Sequence, residues 1–130
     1  MVILYNCYYV PMLMPNSIPT YNIERSTEDF SRQRRREVSL DIREASRTDL
    51  GNGFYSYEWL NYVVINPNEY LVCFMAGQNI NVINGGFAPR DTAPMYAMES
   101  FPRRKNQWVI TVHNPTGSSR ELSLYLIAKT

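Results

Sequence analysis

Residues 107–128 read Gln107-Trp-Val-Ile-Thr-Val-His-Asn-Pro-Thr-Gly-Ser-Ser-Arg-Glu-Leu-Ser-Leu-Tyr-Leu-Ile-Ala128, and the spacing inside this stretch decides the fold. Trp108, Ile110 and Val112 recur at every second position, and so do Leu122, Leu124 and Leu126. A period of two, in place of the three to four of a helix, puts each apolar set on one face of an extended strand. Asn114-Pro115-Thr116-Gly117 separates the two runs. Proline removes a backbone donor, and Asn and Gly supply turn conformations, so two strands joined by a turn are predicted. These six apolar side chains are the first predicted core.

The same pattern returns upstream as Trp59-Leu-Asn-Tyr-Val-Val-Ile-Asn-Pro67, which makes Trp59 the seventh predicted core residue. Each Trp precedes an Asn-Pro turn with a hydrophobic strand beyond it. Two equivalent hairpins are therefore expected, with Trp59 and Trp108 entering a shared core from facing sheets. Strands are predicted at 54–65 and 69–75, joined by Asn66-Pro67-Asn68, and at 78–83, closed by Asn84-Gly85-Gly86. A further strand is predicted at 95–101. Val38, Leu40 and Ile42 alternate with Ser39, Asp41 and Arg43 as a half-buried strand, and Gly51-Asn52-Gly53 reads as a turn. About eight short strands separated by turn signals define an all-β chain, a single antiparallel β-sandwich over residues 24–130.

Toward the N-terminus the pattern changes. Ser26-Thr-Glu-Asp29 can cap and charge the first turn of a short helix whose last turn would hold Arg34, Arg35 and Arg36. Phe30 is its sole large apolar residue, so at most one short helix is expected. Residues 1–23 carry no charged side chain, and Pro11, Pro15 and Pro19 interrupt them. No basic residue precedes the apolar run and no unbroken apolar stretch of about 18 residues exists, which argues against a signal peptide and a membrane span. The expectation is an extended N-terminal arm, with Tyr8, Tyr9, Met12, Leu13, Met14 and Ile18 as contacts for another protein. Proline restriction lowers the entropy lost when such a segment docks.

The chain has 130 residues, net charge +1, 11 Arg beside 2 Lys, 2 Cys and 1 His. That balance excludes a globally basic nucleic-acid binder, and Cys7 and Cys73 are too few for a disulfide framework. Cys7, Cys73 and His113 lack metal-ligand spacing, so neither metal nor cofactor is expected. A Cys73–His113 dyad, or a carboxylate pair drawn from Asp41, Glu58, Glu69, Asp91 and Glu99, would need the fold to assemble it. No phosphate-binding loop or nucleophile elbow is present. Catalysis is therefore not expected. Arg32, Arg34, Arg35 and Arg36 form the sharpest charge cluster, yet residues 24–49 hold seven acids beside seven Arg. Mixed charge rich in Arg points to a protein interface more than to nucleic acid.

Arm, mixed-charge segment and the strand series closing on Trp108–Ala128 together resemble the small jelly-roll or related β-sandwich proteins that decorate tailed-bacteriophage heads, called cement proteins. The resemblance implies a non-enzymatic homotrimer on the capsid surface of a virion, made in the host cytoplasm. Its partner would be the major capsid protein or another virion protein, with neither membrane nor nucleic acid involved. The alternative is a carbohydrate- or receptor-binding sandwich of a phage tail or fibre, with Trp59 and Tyr57 in an exposed sugar platform.

Overall fold

A computed structural model describes residues 35–130. The arm, the helix from Ser26 and the contacts placed at Tyr8, Tyr9, Met12, Leu13, Met14, Ile18, Arg32 and Arg34 lie outside the described residues. The strands are β1 (Arg35–Asp41), β2 (Ser46–Gly51), β3 (Phe54–Ile65), β4 (Tyr70–Ala76), β5 (Asn81–Pro89), β6 (Tyr96–Arg104), β7 (Gln107–His113) and β8 (Arg120–Lys129). A single 3-10 turn, Ile42–Glu44, follows β1. The strands form two four-stranded sheets, in the orders β1-β4-β7-β6 and β2-β3-β8-β5, packed as a sandwich.

Cross-strand register explains the core. In the first sheet Leu71, Cys73 and Met75 of β4 pair with Val112, Ile110 and Trp108 of β7. In the second, Tyr57, Trp59 and Val63 of β3 pair with Leu126, Leu124 and Leu122 of β8. All twelve are buried in one cluster between the sheets. Removing each large aliphatic side chain from water stabilises the fold by roughly 1.5–3 kcal/mol. The two Trp rings keep their polar edges satisfied: Trp59 Nε1 donates to the Asp41 carbonyl at 3.1 Å and Trp108 Nε1 to Ser100 Oγ at 2.9 Å.

Several expectations need correction. The two Asn-Pro segments are not hairpin turns, because β3 and β4 belong to different sheets, as do β7 and β8. Each segment is an arch that carries the chain across the core. A period of two delivers the same inward face to a hairpin and to an arch, so the sequence pattern does not separate them. The sandwich is not purely antiparallel either. Two crossings separate β1 from β4, and the chain returns alongside β1 in the same direction, with Leu40 opposite Met75. Arg35 and Arg36 open β1 instead of ending a helix. Ile42 lies in the 3-10 turn, where Asp41 Oδ1 accepts from the Arg43 amide at 2.9 Å and ends the strand. β2 carries no sequence signal: Ser46-Arg-Thr-Asp-Leu-Gly51 is exposed throughout and has no apolar alternation. It pairs with β3 only as far as Glu58.

The central strands β4 and β7 of the first sheet carry apolar residues on both faces. Val72 and Val109 alternate with core residues and so face away from the sandwich interior, yet both are buried. Near-continuous apolar runs such as Leu71–Met75 and Trp108–Val112 are the pattern of strands covered on both sides.

The strand predicted to stop at Ile83 instead runs through Asn84-Gly85-Gly86 to Pro89, with a register shift between Val82 and Asn84. Gly85 lies beneath the Trp108 indole, and a Cβ there would come within 2.4 Å of the ring, whereas a Cβ on Gly86 would meet nothing. Glycine at 85 is thus a packing requirement. Gly85→Ala should cost about 1–3 kcal/mol in chemical denaturation, and Gly86→Ala should stay within about 0.5 kcal/mol of wild type. Equal effects at the two positions would contradict the placement of Trp108.

Candidate functional site

Both arches lie together at one end of the sandwich, and their polar side chains are tied to each other. Glu69, at the end of the first arch, is 2% exposed. Its carboxylate accepts from Arg36 Nε at 3.1 Å and Arg36 Nη2 at 2.9 Å, and from the Asn66 amide at 3.0 Å. Arg36 Nη2 also donates to the Val64 carbonyl at 2.6 Å. Burial pushes the Glu69 carboxyl up, but the bonds from Arg36 and Asn66 outweigh it and hold the group below the usual carboxylate range. Arg36 is raised in turn by the same hydrogen bond.

Asn114 does the corresponding work in the second arch. It is fully buried, and its Nδ2 donates to the carbonyls of Asn66 at 3.0 Å and Ser118 at 2.8 Å, while Oδ1 accepts from the Thr116 amide at 3.0 Å. The Asn114 amide donates to the Glu69 carbonyl at 3.1 Å, so the arches are bonded through backbone as well as side chain. His113 Nδ1 faces the same Glu69 carbonyl at 3.3 Å, and its ring stacks on Tyr70 with centroids 4.1 Å apart.

Two concavities flank Val64 at this end. One, of about 450 Å³, is lined by Val64, Arg90, Asp91, Ser119, Arg120 and Glu121. Arg90 Nη1 pairs with Glu121 Oε1 at 3.0 Å, and Arg120 Nη1 with Asp91 Oδ2. The hydrogen bond from Arg120 lowers the Asp91 carboxyl below its ordinary value. The other, of about 410 Å³, runs between β1 and the half of β3 that β2 does not reach, and is lined by Val38, Leu40, Tyr62, Val63 and Val64 with Arg36, Ser39 and Asn66. Leu60, Tyr62 and Val64 are exposed along this part of β3. Left-handed Asn61 produces the offset: three β3 residues oppose Ser123, whose hydroxyl accepts from the Asn61 amide at 2.8 Å. A second exposed apolar set, Tyr96, Met98 and Phe101, lies on the edge strand β6.

Of the predicted Arg contacts, Arg35 is exposed beside Glu37, and Arg36 is engaged within the fold by Glu69. Trp59 and Tyr57 are buried, so they form no exposed sugar platform. Cys73 faces the core while His113 lies on the opposite face of the same sheet, and the fold does not assemble them into a dyad. The candidate carboxylates are scattered: Asp41 bonds Arg43, Glu69 lies in the arches, Asp91 pairs with Arg120 and Glu99 accepts from Thr111. Among the described residues no group of three His, Cys, Asp or Glu side chains is gathered to hold a metal ion. Sequence reasoning missed the Arg90–Glu121 and Asp91–Arg120 pairs. Their signal was the opposed dipeptides Arg90-Asp91 and Arg120-Glu121, one at the end of β5 and one at the start of β8.

A model of the protein family described as YjdH matches residues 36–128, nearly all of the described sandwich. No curated protein and no solved structure matches the chain.

Two outcomes follow from the geometry. The folded Glu69 pKa is depressed, so its contribution to stability is present above the unfolded carboxylate value of about 4.3 and is lost as pH falls through the lower folded value. Glu69→Gln should therefore be less stable than wild type by about 2 kcal/mol at neutral pH, with the gap closing in acid. A gap that does not vary with pH would contradict the ionised clasp. Burial pushes the Cys73 thiol up to about 12. In a Cys7→Ser background, Cys73 should resist a thiol-specific disulfide reagent until denaturant unfolds the chain; rapid labelling of folded protein would contradict its burial.

Proposed function

The chain belongs to the YjdH family, and we propose that it is a non-enzymatic binding protein that holds other proteins in place. The observation that carries this reading is the two sets of exposed apolar side chains, Leu60, Tyr62 and Val64 on β3 and Tyr96, Met98 and Phe101 on β6. Large apolar side chains left in water on strands that a rigid core holds still are a feature of docking surfaces. The more specific form of the proposal is decoration of a phage capsid by a homotrimer of jelly-roll type. There the sandwich docks on the shell, and the uncharged residues 1–23 lay apolar anchors across a neighbouring subunit. Repetition over a symmetric lattice converts modest single-site affinity into avidity.

Co-sedimentation with purified phage heads tests the specific form. Wild type should pellet with the heads, and Tyr62→Arg and a chain lacking residues 1–23 should each bind at least about tenfold more weakly while keeping the wild-type β-sheet circular dichroism. Failure of the wild type to bind heads would overturn the capsid role. Unchanged binding by the shortened chain would remove residues 1–23 from the mechanism.

A further inference from the structure

The 450 Å³ concavity beside Val64 has the volume of a small-ligand site, and the charges on its described lining narrow the ligand. Four of its six described lining residues are charged, Arg90 and Arg120 against Asp91 and Glu121, so the described lining is neutral overall. That balance matches neither a phosphate nor a metal ion, each of which needs an excess of one sign. The Arg90–Glu121 contact joins one terminal nitrogen to one carboxylate oxygen, and the guanidinium retains N–H donors and the carboxylate lone pairs for another molecule. Arg120 is held at two points, by Asp91 and by Thr116 Oγ1 at 3.4 Å, which fixes its direction.

The backbone adds a second observation. Thr92, a β-branched residue, is held at φ +56° directly after Asp91, with its hydroxyl donating to the Asp91 carbonyl at 2.6 Å. A left-handed conformation is unfavourable for such a side chain and persists only where its surroundings impose it. The Arg90 amide donates to the Glu121 carbonyl at 2.9 Å, so strain and ladder together set the position of Asp91 against β8.

We propose that this concavity binds a neutral polyhydroxylated ligand, a pyranose unit of a glycan, through the adjacent donors and acceptors of the Arg90–Glu121 and Arg120–Asp91 pairs. A sugar hydroxyl donates and accepts at once, so a guanidinium paired with a carboxylate complements it without either ion pair having to break. Val64, half exposed in the wall, offers apolar surface to the C–H face of the ring. This site is separate from buried Trp59 and Tyr57, and it does not depend on the capsid role.

The test is an amide-resolved NMR titration of the isotopically labelled full chain with the methyl glycosides of glucose, galactose, mannose and N-acetylglucosamine, at up to about 50 mM, which approaches saturation for dissociation constants in the millimolar range. Sodium phosphate and glycine serve as charged comparators. At least one glycoside should shift the amides of Val64, Arg90, Asp91, Thr92 and Ser119–Glu121, with a saturating response. Glu121→Ala and Asp91→Asn, both at exposed side chains, should each weaken that response by about tenfold or more in a spectrum that otherwise overlays wild type. No shift with any glycoside, a shift produced by phosphate or glycine alone, or undiminished binding by both variants would overturn the proposal.

Discussion

The described structure depends on how the chain crosses from one sheet to the other. Two arches bring four strand ends together, and each crossing takes backbone amides and carbonyls out of both ladders. Unpaired buried groups of this kind cost about 1–3 kcal/mol each. Glu69 and Asn114 meet that demand with side-chain bonds, the first taking Arg36 and Asn66, the second joining Asn66, Ser118 and Thr116. The bond from the Asn114 amide to the Glu69 carbonyl then makes the two arches a single unit. Arg36 brings β1 into that unit, which accounts for an edge strand lying parallel to β4 with its register fixed.

From this end the remaining features follow in order. With β3 and β4 held in opposite sheets, Trp59 and Trp108 approach from opposite sides, and Gly85 leaves the space that the Trp108 ring fills. The short β2 leaves the second half of β3 open on one edge, where Leu60, Tyr62 and Val64 stay exposed. Arg36 reaches across to the Val64 carbonyl and occupies part of that edge, a device that discourages indiscriminate strand pairing. The polar concavity on the other side of Val64 draws on the same rigidity, since Arg120 is bonded to Thr116 of the second arch.

Much of the strand content was legible in the sequence. The predicted strand at 54–65 has the observed limits, and β7 and β8 differ from expectation by one residue at most. Their apolar period of two is strong because one face is wholly buried. What the period does not encode is the partner of each strand. An arch and a hairpin place the same alternate residues inward, so the pattern predicts hairpins where the chain makes two crossings. The charge-rich Ser46–Gly51 strand had no buried face to give a period, and Asn84-Gly85-Gly86 read as a turn because the need for glycine beneath an indole is not a local property. Arg36 and Glu69 are 33 positions apart, and nothing in either neighbourhood announces that they meet. The proposed binding surfaces were the least legible part, since they lie where strands stop pairing and where loops from distant positions converge.

The arches as one cooperative unit are tested most directly by a double-mutant cycle between Arg36 and Asn114, which touch only through Glu69 and Asn66. Arg36→Gln, Asn114→Ala and the double variant would be compared with wild type by chemical denaturation at neutral pH. A coupling energy of about 1 kcal/mol or more is predicted, because either change releases the groups that the other side chain helps to hold. Effects that add within about 0.3–0.5 kcal/mol would show two independent turns and contradict the account.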